Sequence, residues 1–402
     1  MDSSLALIIS ILAILALIRL KMNISLSIFI GALILGLLTL GINSLTKILL
    51  IITGLNTIKI VTIVLLAFTL GYSMEYFKLL EKLAFATQNM LDSFSVAVLP
   101  ALLGFLPMPG GALISAVMIK DLVKKYEIDS ETATYINYWF RHLWVPTWPL
   151  YPSFIIALAV VEVNYIRVIE ANYPITIAAI AVGLYFIRHL GIKFRWSSND
   201  FKQIVISLYP IIIITLLALL VRLDLLVTLL MSLLILYLHK KPNIGDLKNI
   251  LSKTIDVKLI VLVMAVMSFK GLIEETNAAL AFFNHLNTAN IPIPLAAFLL
   301  SFTIGFATGI EMSYTSIALP LLTAFTGISS TFNAANFMIV FAAGYLGVMI
   351  SPLHLCLVLT TEYYKADIRR VYRMLIPTMM ATTLIVLFVF LSAFSLIAIS
   401  SI

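Results

Sequence analysis

Cysteine and charge are what this sequence has least of. A single cysteine, Cys356, stands among 402 residues, so no internal disulfide can form. Charged residues make up 11% of the chain against 62% hydrophobic, and the mean hydropathy is +1.09. Soluble domains carry roughly 25% charged residues, and a water-facing surface cannot be assembled from so few. Soluble enzymes, disordered regulators and fibrous proteins are excluded on that ground. The five histidines, His142, His189, His239, His285 and His354, are scattered without metal-ligand spacing. The opening Met1-Asp2-Ser3-Ser4 lacks the basic stretch of a cleavable signal peptide, so the first apolar run is expected to remain as a span.

What is present is a series of long apolar runs, which imply an all-α polytopic membrane protein. A helical crossing needs about 20 apolar residues. Ten candidate crossings lie near Ser4–Ile18, Ile24–Ile42, Ile60–Phe77, Ala133–Val161, Tyr173–Ile187, Ile204–Leu220, Leu225–Tyr237, Leu259–Ile273, Phe337–Thr360 and Met374–Ile399. Two further apolar stretches, Val96–Met118 and Ile291–Leu322, are interrupted near their centres by Pro, Gly or polar residues. A break at membrane depth frees backbone groups that must be buried in protein or face a water-filled cavity. Both stretches are therefore read as re-entrant hairpins that enter and leave on one side.

The basic residues orient this arrangement. Of the 26 Lys and Arg, only Lys47, Lys59, Arg167, Arg222 and Lys270 fall outside if the N-terminus is outside and both hairpins are re-entrant, and Arg141 lies within the membrane. The remainder gather on the cytoplasmic side, as the positive-inside rule requires. Both termini are then outside the cytoplasmic membrane. The net charge of +7 serves topology and does not mark a nucleic-acid surface.

The two halves match at an offset near 200. Gly71 and Glu75 pair with Gly271 and Glu275, Gly104-Phe105 with Gly305-Phe306, and Leu143-x-Val145-x-x-x-Pro149-Leu150 with Leu346-x-Val348-x-x-x-Pro352-Leu353. An odd number of crossings separates equivalent helices, so the repeats are inverted. They run 1–195 (scaffold 1–57, transport elements 58–165, hairpin 96–120) and 196–402 (scaffold 200–256, transport elements 257–364, hairpin 291–322). Inverted repeats with broken helices mark secondary transporters, with the site near the midplane.

Four segments carry the candidate chemistry. The first hairpin tip holds Pro107, Pro109, Gly110 and Gly111, whose breaks leave amides free to meet an anion, or which form a packed turn. The second carries Thr308, Gly309, Glu311, Ser313 and Thr315. A carboxylate in an apolar stretch is a functional hypothesis by default. Glu311 could hold Na+ with the neighbouring hydroxyls, carry a proton, or pair with Arg141 for structure alone. No other metal is expected, and no cofactor. The fourth span cannot continue as one helix through Pro146, Pro149 and Pro152, and Arg141 and His142 precede its break. Arg141 would bind an anion or neutralise Glu311. The ninth span repeats the break at Ser351-Pro352, followed by His354 as a proton group or a packed ring.

Two inverted repeats, each with a hairpin and a broken helix, resemble the ion transporter superfamily of gluconate, dicarboxylate and citrate carriers. Pro107-Met-Pro-Gly-Gly111-Ala and Ala307-Thr-Gly-Ile-Glu311-Met-Ser313 are most similar to its largely archaeal domain-of-unknown-function family 401. The resemblance implies an elevator-type carrier, usually a homodimer in the lipid bilayer, and not an enzyme. Sodium/dicarboxylate carriers have Ser-Asn-Thr triplets at both tips, and this sequence has neither. The expected function is secondary active transport of a small anionic organic solute coupled to Na+ or H+. The alternatives are an ion channel and an intramembrane enzyme. Glu274-Glu275 opens a glutamate-protease motif, but Ala279 stands where that motif needs arginine.

Overall fold

The computed structural model describes residues 1–400 except 109, 192 and 193, with side chains described up to residue 392. Every regular element among the described residues is helical, which satisfies backbone donors and acceptors within each segment as a hydrocarbon surrounding demands. The chain opens with α1 (Ser3–Arg19) and α2 (Ile24–Leu40). Asp2 and Asn23 cap them by accepting the backbone N–H of Leu5 and Ser25. A short helix α3 (Asn43–Thr53) leads into α4 (Leu55–Tyr76) and α5 (Leu79–Leu91). Then come the helix–turn–helix pair α6 (Ser95–Leu103) and α7 (Gly111–Lys125), the interrupted pair α8 (Ser130–Arg141) and α9 (Pro152–Val161), and α10 (Tyr165–Phe186).

The second half repeats this order. Helix α11 (Ser198–Thr215) is prolonged by a π turn over Leu216–Leu220, and α12 (Leu225–Lys240), α13 (Ile244–Thr254), α14 (Val257–Glu275) and α15 (Ala278–Thr288) follow. The next hairpin is α16 (Ile293–Thr308) and α17 (Glu311–Ser313), which continues through a π turn, Tyr314–Ala318, into α18 (Leu319–Leu321). A single turn, α19 (Thr323–Thr326), precedes the interrupted pair α20 (Ala334–Ile350) and α21 (Leu355–Tyr364), and α22 (Ile368–Ser400) ends the described chain.

Five of these segments are long and apolar enough to cross a membrane: Leu55–Tyr76, Tyr165–Phe186, Ser198–Leu220, Ala334–Tyr364 and Ile368–Ser392. Six shorter apolar helices accompany them. The expected span 133–161 is two helices, separated by the proline-rich stretch 142–151, because no residue there can both follow the helix and precede a proline in α geometry. Helices α3, α5, α13 and α15 lie where no element was expected. They are about half the length of a crossing and mix polar with apolar residues, so a search for long apolar runs passes over them.

Packing crosses between the halves reciprocally. Helix α14 lies on α2 and α3, while α4 lies on α12 and α13; α15 meets α1, and α5 meets α11. Polar contacts tie these seams. Ser25 donates its hydroxyl to the Lys258 carbonyl at 2.9 Å, and the Tyr76 hydroxyl donates to Asp246 at 2.6 Å. Lys270, expected outside the membrane, is a 4% exposed residue of α14 whose ammonium reaches Glu162 at 2.6 Å and Glu274 at 3.2 Å. Most of the remaining interior is aliphatic and aromatic, including the fully buried Trp139, Tyr138, Tyr314 and Tyr345, and buried Ser, Thr, Asn, His and Arg side chains are set within it.

Candidate functional site

Each hairpin grips the interrupted helix pair that follows it. The indoles of Trp144 and Trp148 donate to the carbonyls of Ala101 and Phe105 at 2.8 and 2.7 Å. A Cβ on Gly104 would meet the Arg141 carbonyl at 2.4 Å, so α6 and the end of α8 touch through backbone. The second half has the same three contacts at the matching positions. Gly347 lies against the Phe302 carbonyl, Gly305 against the Gly344 carbonyl, and Ser351 donates its hydroxyl to the Phe306 carbonyl at 2.6 Å. Side-chain bulk differs between the two halves, yet the touching positions are 201 residues apart on the hairpins and 203 on the helices they grip.

The two grips meet in the middle. Four interruptions converge there: the turn between α6 and α7, the stretch after Arg141, Gly309-Ile310, and Ser351–His354. They border an open cavity of about 300 Å³ with a mainly apolar lining, within the size of small-molecule sites. Pro107, Arg141, His142, Gly309 and Glu311 line it, together with Phe68, Tyr151, His354 and Cys356. Gly309 is in the left-handed region at φ +63, and a Cβ on it would strike the His354 amide nitrogen at 2.6 Å. Only glycine suits both conditions.

Arg141 is the charged group buried deepest in this wall. It is 5% exposed, and its Nη1 has no hydrogen-bond partner among the described residues. A buried guanidinium with an open donor costs several kcal/mol unless something fills it. Gly111 makes room for it, since a Cβ there would fall 1.8 Å from Nη2. Oε1 of Glu311 lies 3.6 Å from Nε2 of His142, and of the three readings of Glu311 the pairing with Arg141 is not seen as an ion pair among the described residues.

His142 and His354 are held end to end. Nδ1 of His142 lies 2.6 Å from the Tyr138 carbonyl, and Nδ1 of His354 lies 2.8 Å from the Gly309 carbonyl. Their Nε2 atoms are 3.2 Å apart. Tyr151 donates its hydroxyl to the Gly104 carbonyl at 2.6 Å, closing the wall from α9.

The other expected site residues lie close by, in the turns around the cavity. Gly110 is left-handed at φ +70 with open space around it. Thr308 and Ser313 join their hydroxyls at 2.5 Å across the second tip, and Thr315 donates to the Met312 carbonyl. These three are not lining residues of the cavity, and neither are Ser351 and Pro352, which shape the second interruption. Pro109 lies outside the described residues. Cys356 lies in an apolar run, and its place in the wall has no local signal in the sequence. His354 did have one, because it and Tyr151 both follow the repeated Pro-Leu pair.

Apolar helices of crossing length, with interrupted helices around a mainly apolar cavity that holds a few charged and polar groups, define an all-helical membrane protein. The chain belongs to the family described as Protein of unknown function (DUF401), which matches residues 1–393. No curated protein matches it.

Proposed function

We propose that this protein is a secondary active transporter of a small anionic organic solute. The observation that carries the proposal is the buried Arg141, whose Nη1 has no hydrogen-bond partner among the described residues, in the wall of a cavity of about 300 Å³ where four chain interruptions meet. An arginine fork is suited to carboxylate and other oxyanions, and a charge held within apolar segments marks a substrate or ion path. Glu311, across the same cavity, is the proposed site of the coupling ion, Na+ or H+.

The matched hairpin contacts and the reciprocal packing of α4 and α14 support two inverted repeats of about ten crossings. The repeat pattern also supports kinship with the ion transporter superfamily. In this proposal the hairpins and interrupted helices move as an elevator past a scaffold of 1–57 and 200–256, in a homodimer of the cytoplasmic membrane with both termini outside. Each half would then contribute one wall of a site near the midplane.

The test is a thermal-shift screen of the purified protein over organic anions and amino acids, with and without sodium. Expected is a saturable rise in Tm with at least one anion, lost in Arg141→Ala. No anion-dependent rise under any condition would remove the proposal.

A further inference from the structure

Two histidines 212 positions apart in sequence point the same ring atom at each other. Each Nδ1 faces a backbone carbonyl, which can only accept, so each Nδ1 carries the ring hydrogen. In neutral rings both Nε2 atoms then present lone pairs across 3.2 Å. Two lone pairs in that position repel unless an electrophile sits between them. The Sγ of Cys356 is within 4.8 Å of one ring nitrogen of each histidine, and Oε1 of Glu311 is 3.6 Å from His142 Nε2.

We propose that His142, His354 and Cys356 form a three-ligand binding site for a borderline-soft transition-metal cation of the Zn2+ type, with water as the fourth ligand. Nitrogen ligands at about 2.0–2.1 Å on a tetrahedral ion lie about 3.3 Å from each other, close to the observed Nε2 separation. The Cys356 sulfur, within 4.8 Å of a ring nitrogen of each histidine, is the third donor. Imidazole and thiolate donors select Zn2+ or Cu+ over Na+, Mg2+ or Ca2+, which take oxygen. The carbonyls of Tyr138 and Gly309 are the outer partners that fix ring orientation, as metal-bound histidines require. On binding, the Cys356 thiol releases its proton to solvent and bonds through sulfur. The resulting thiolate offsets part of the ion's charge, and the Glu311 carboxylate stands outside the ligand set, 3.6 Å from Nε2 of His142. The site stands whether or not the cavity also carries an anion.

The single cysteine makes the wild-type protein its own probe. Full-length protein in detergent, treated with chelator, is titrated with Co2+ and separately with Zn2+. Expected are one ion per chain, the intense red-region bands of tetrahedral Co2+, and a near-ultraviolet thiolate-to-cobalt band that Cys356→Ser removes. Zn2+ should slow maleimide alkylation of Cys356 about tenfold, and His354→Gln should weaken binding by about tenfold or more. The proposal is overturned if Co2+ gives only a six-coordinate spectrum without the thiolate band, or if Zn2+ leaves alkylation unchanged. Both of these readouts use unmodified protein, so they hold even if the variants misfold. A shared proton between the rings would then account for the spacing.

Discussion

A Cβ on Gly111 would stand 1.8 Å from Nη2 of Arg141 and 2.6 Å from its Cζ. The guanidinium therefore occupies the volume that any other residue at 111 would need, and the first hairpin and the first interruption interlock there. Gly111→Ala must push the guanidinium aside, and anion affinity should fall about tenfold, an energy of about 1.4 kcal/mol. Gly110→Ala is the control. Its left-handed backbone makes alanine cost about 1–2 kcal/mol, but nothing lies within 4 Å of the new methyl. Its anion midpoint in thermal-shift titrations should match wild type although its Tm is lower.

Gly305→Ala should be among the most damaging alanine substitutions in the chain. The new Cβ would lie 2.3 Å from the Gly344 carbonyl oxygen, which is backbone and cannot rotate away. Helices α16 and α20 would have to separate, at a cost of about 1–3 kcal/mol. Gly71→Ala meets only the Pro107 carbonyl at 3.5 Å, an ordinary contact, and should be near neutral. Thermal melting of the two variants in one detergent checks the contrast.

Lys270 gives an asymmetric pair of outcomes. The lysine is 4% exposed, whereas Glu162 and Glu274 are 45% and 38% exposed. Lys270→Met leaves two carboxylates that water still reaches. The double variant Glu162→Gln with Glu274→Gln strands a buried cation, which costs about 3–5 kcal/mol when a pair is broken this way. The double variant should melt well below Lys270→Met.

Acid should loosen the turn that leads into the first hairpin. The Tyr126 hydroxyl and the Lys125 ammonium hold the Asp92 carboxyl below its ordinary value of 3.8. A lowered folded-state value means that stability is present above 3.8 and is lost as pH falls through the folded value. Asp92→Asn keeps a residue that tolerates the left-handed φ of 44 and removes only the charge. The Tm difference between the two proteins should narrow as pH is lowered below 3.8 and should be flat above about 5.

The parts of the site written in local chemistry were legible in the sequence. Pro146, Pro149 and Pro152 announce an interruption because each removes a helix donor, and Arg141 and Glu311 stand out because charge is so sparse. The partner of Glu311 was not legible. Arg141 is the nearer match by charge, but the backbone places His142, one residue on, at 3.6 Å from it. Nor could the His142–His354 contact be read from spacing, because it joins the two interruptions only once both hairpins have docked. Cys356 carries no pattern of its own and enters the wall because His354 turns the chain there. The short helices α3, α5, α13 and α15 were hidden by their length and their mixed composition.

Flux through proteoliposomes bears most directly on the central claim that Arg141 and Glu311 face one transported anion and its coupling ion. Purified protein is reconstituted and offered the anions that raise its Tm, under imposed Na+ or H+ gradients. Wild type should give saturable, gradient-dependent uptake. Arg141→Ala should raise the half-saturating concentration about tenfold or more, the loss expected when a charged hydrogen bond is removed, and Glu311→Gln should abolish gradient dependence. Uptake that never saturates, or wild-type coupled flux in both variants, would contradict it.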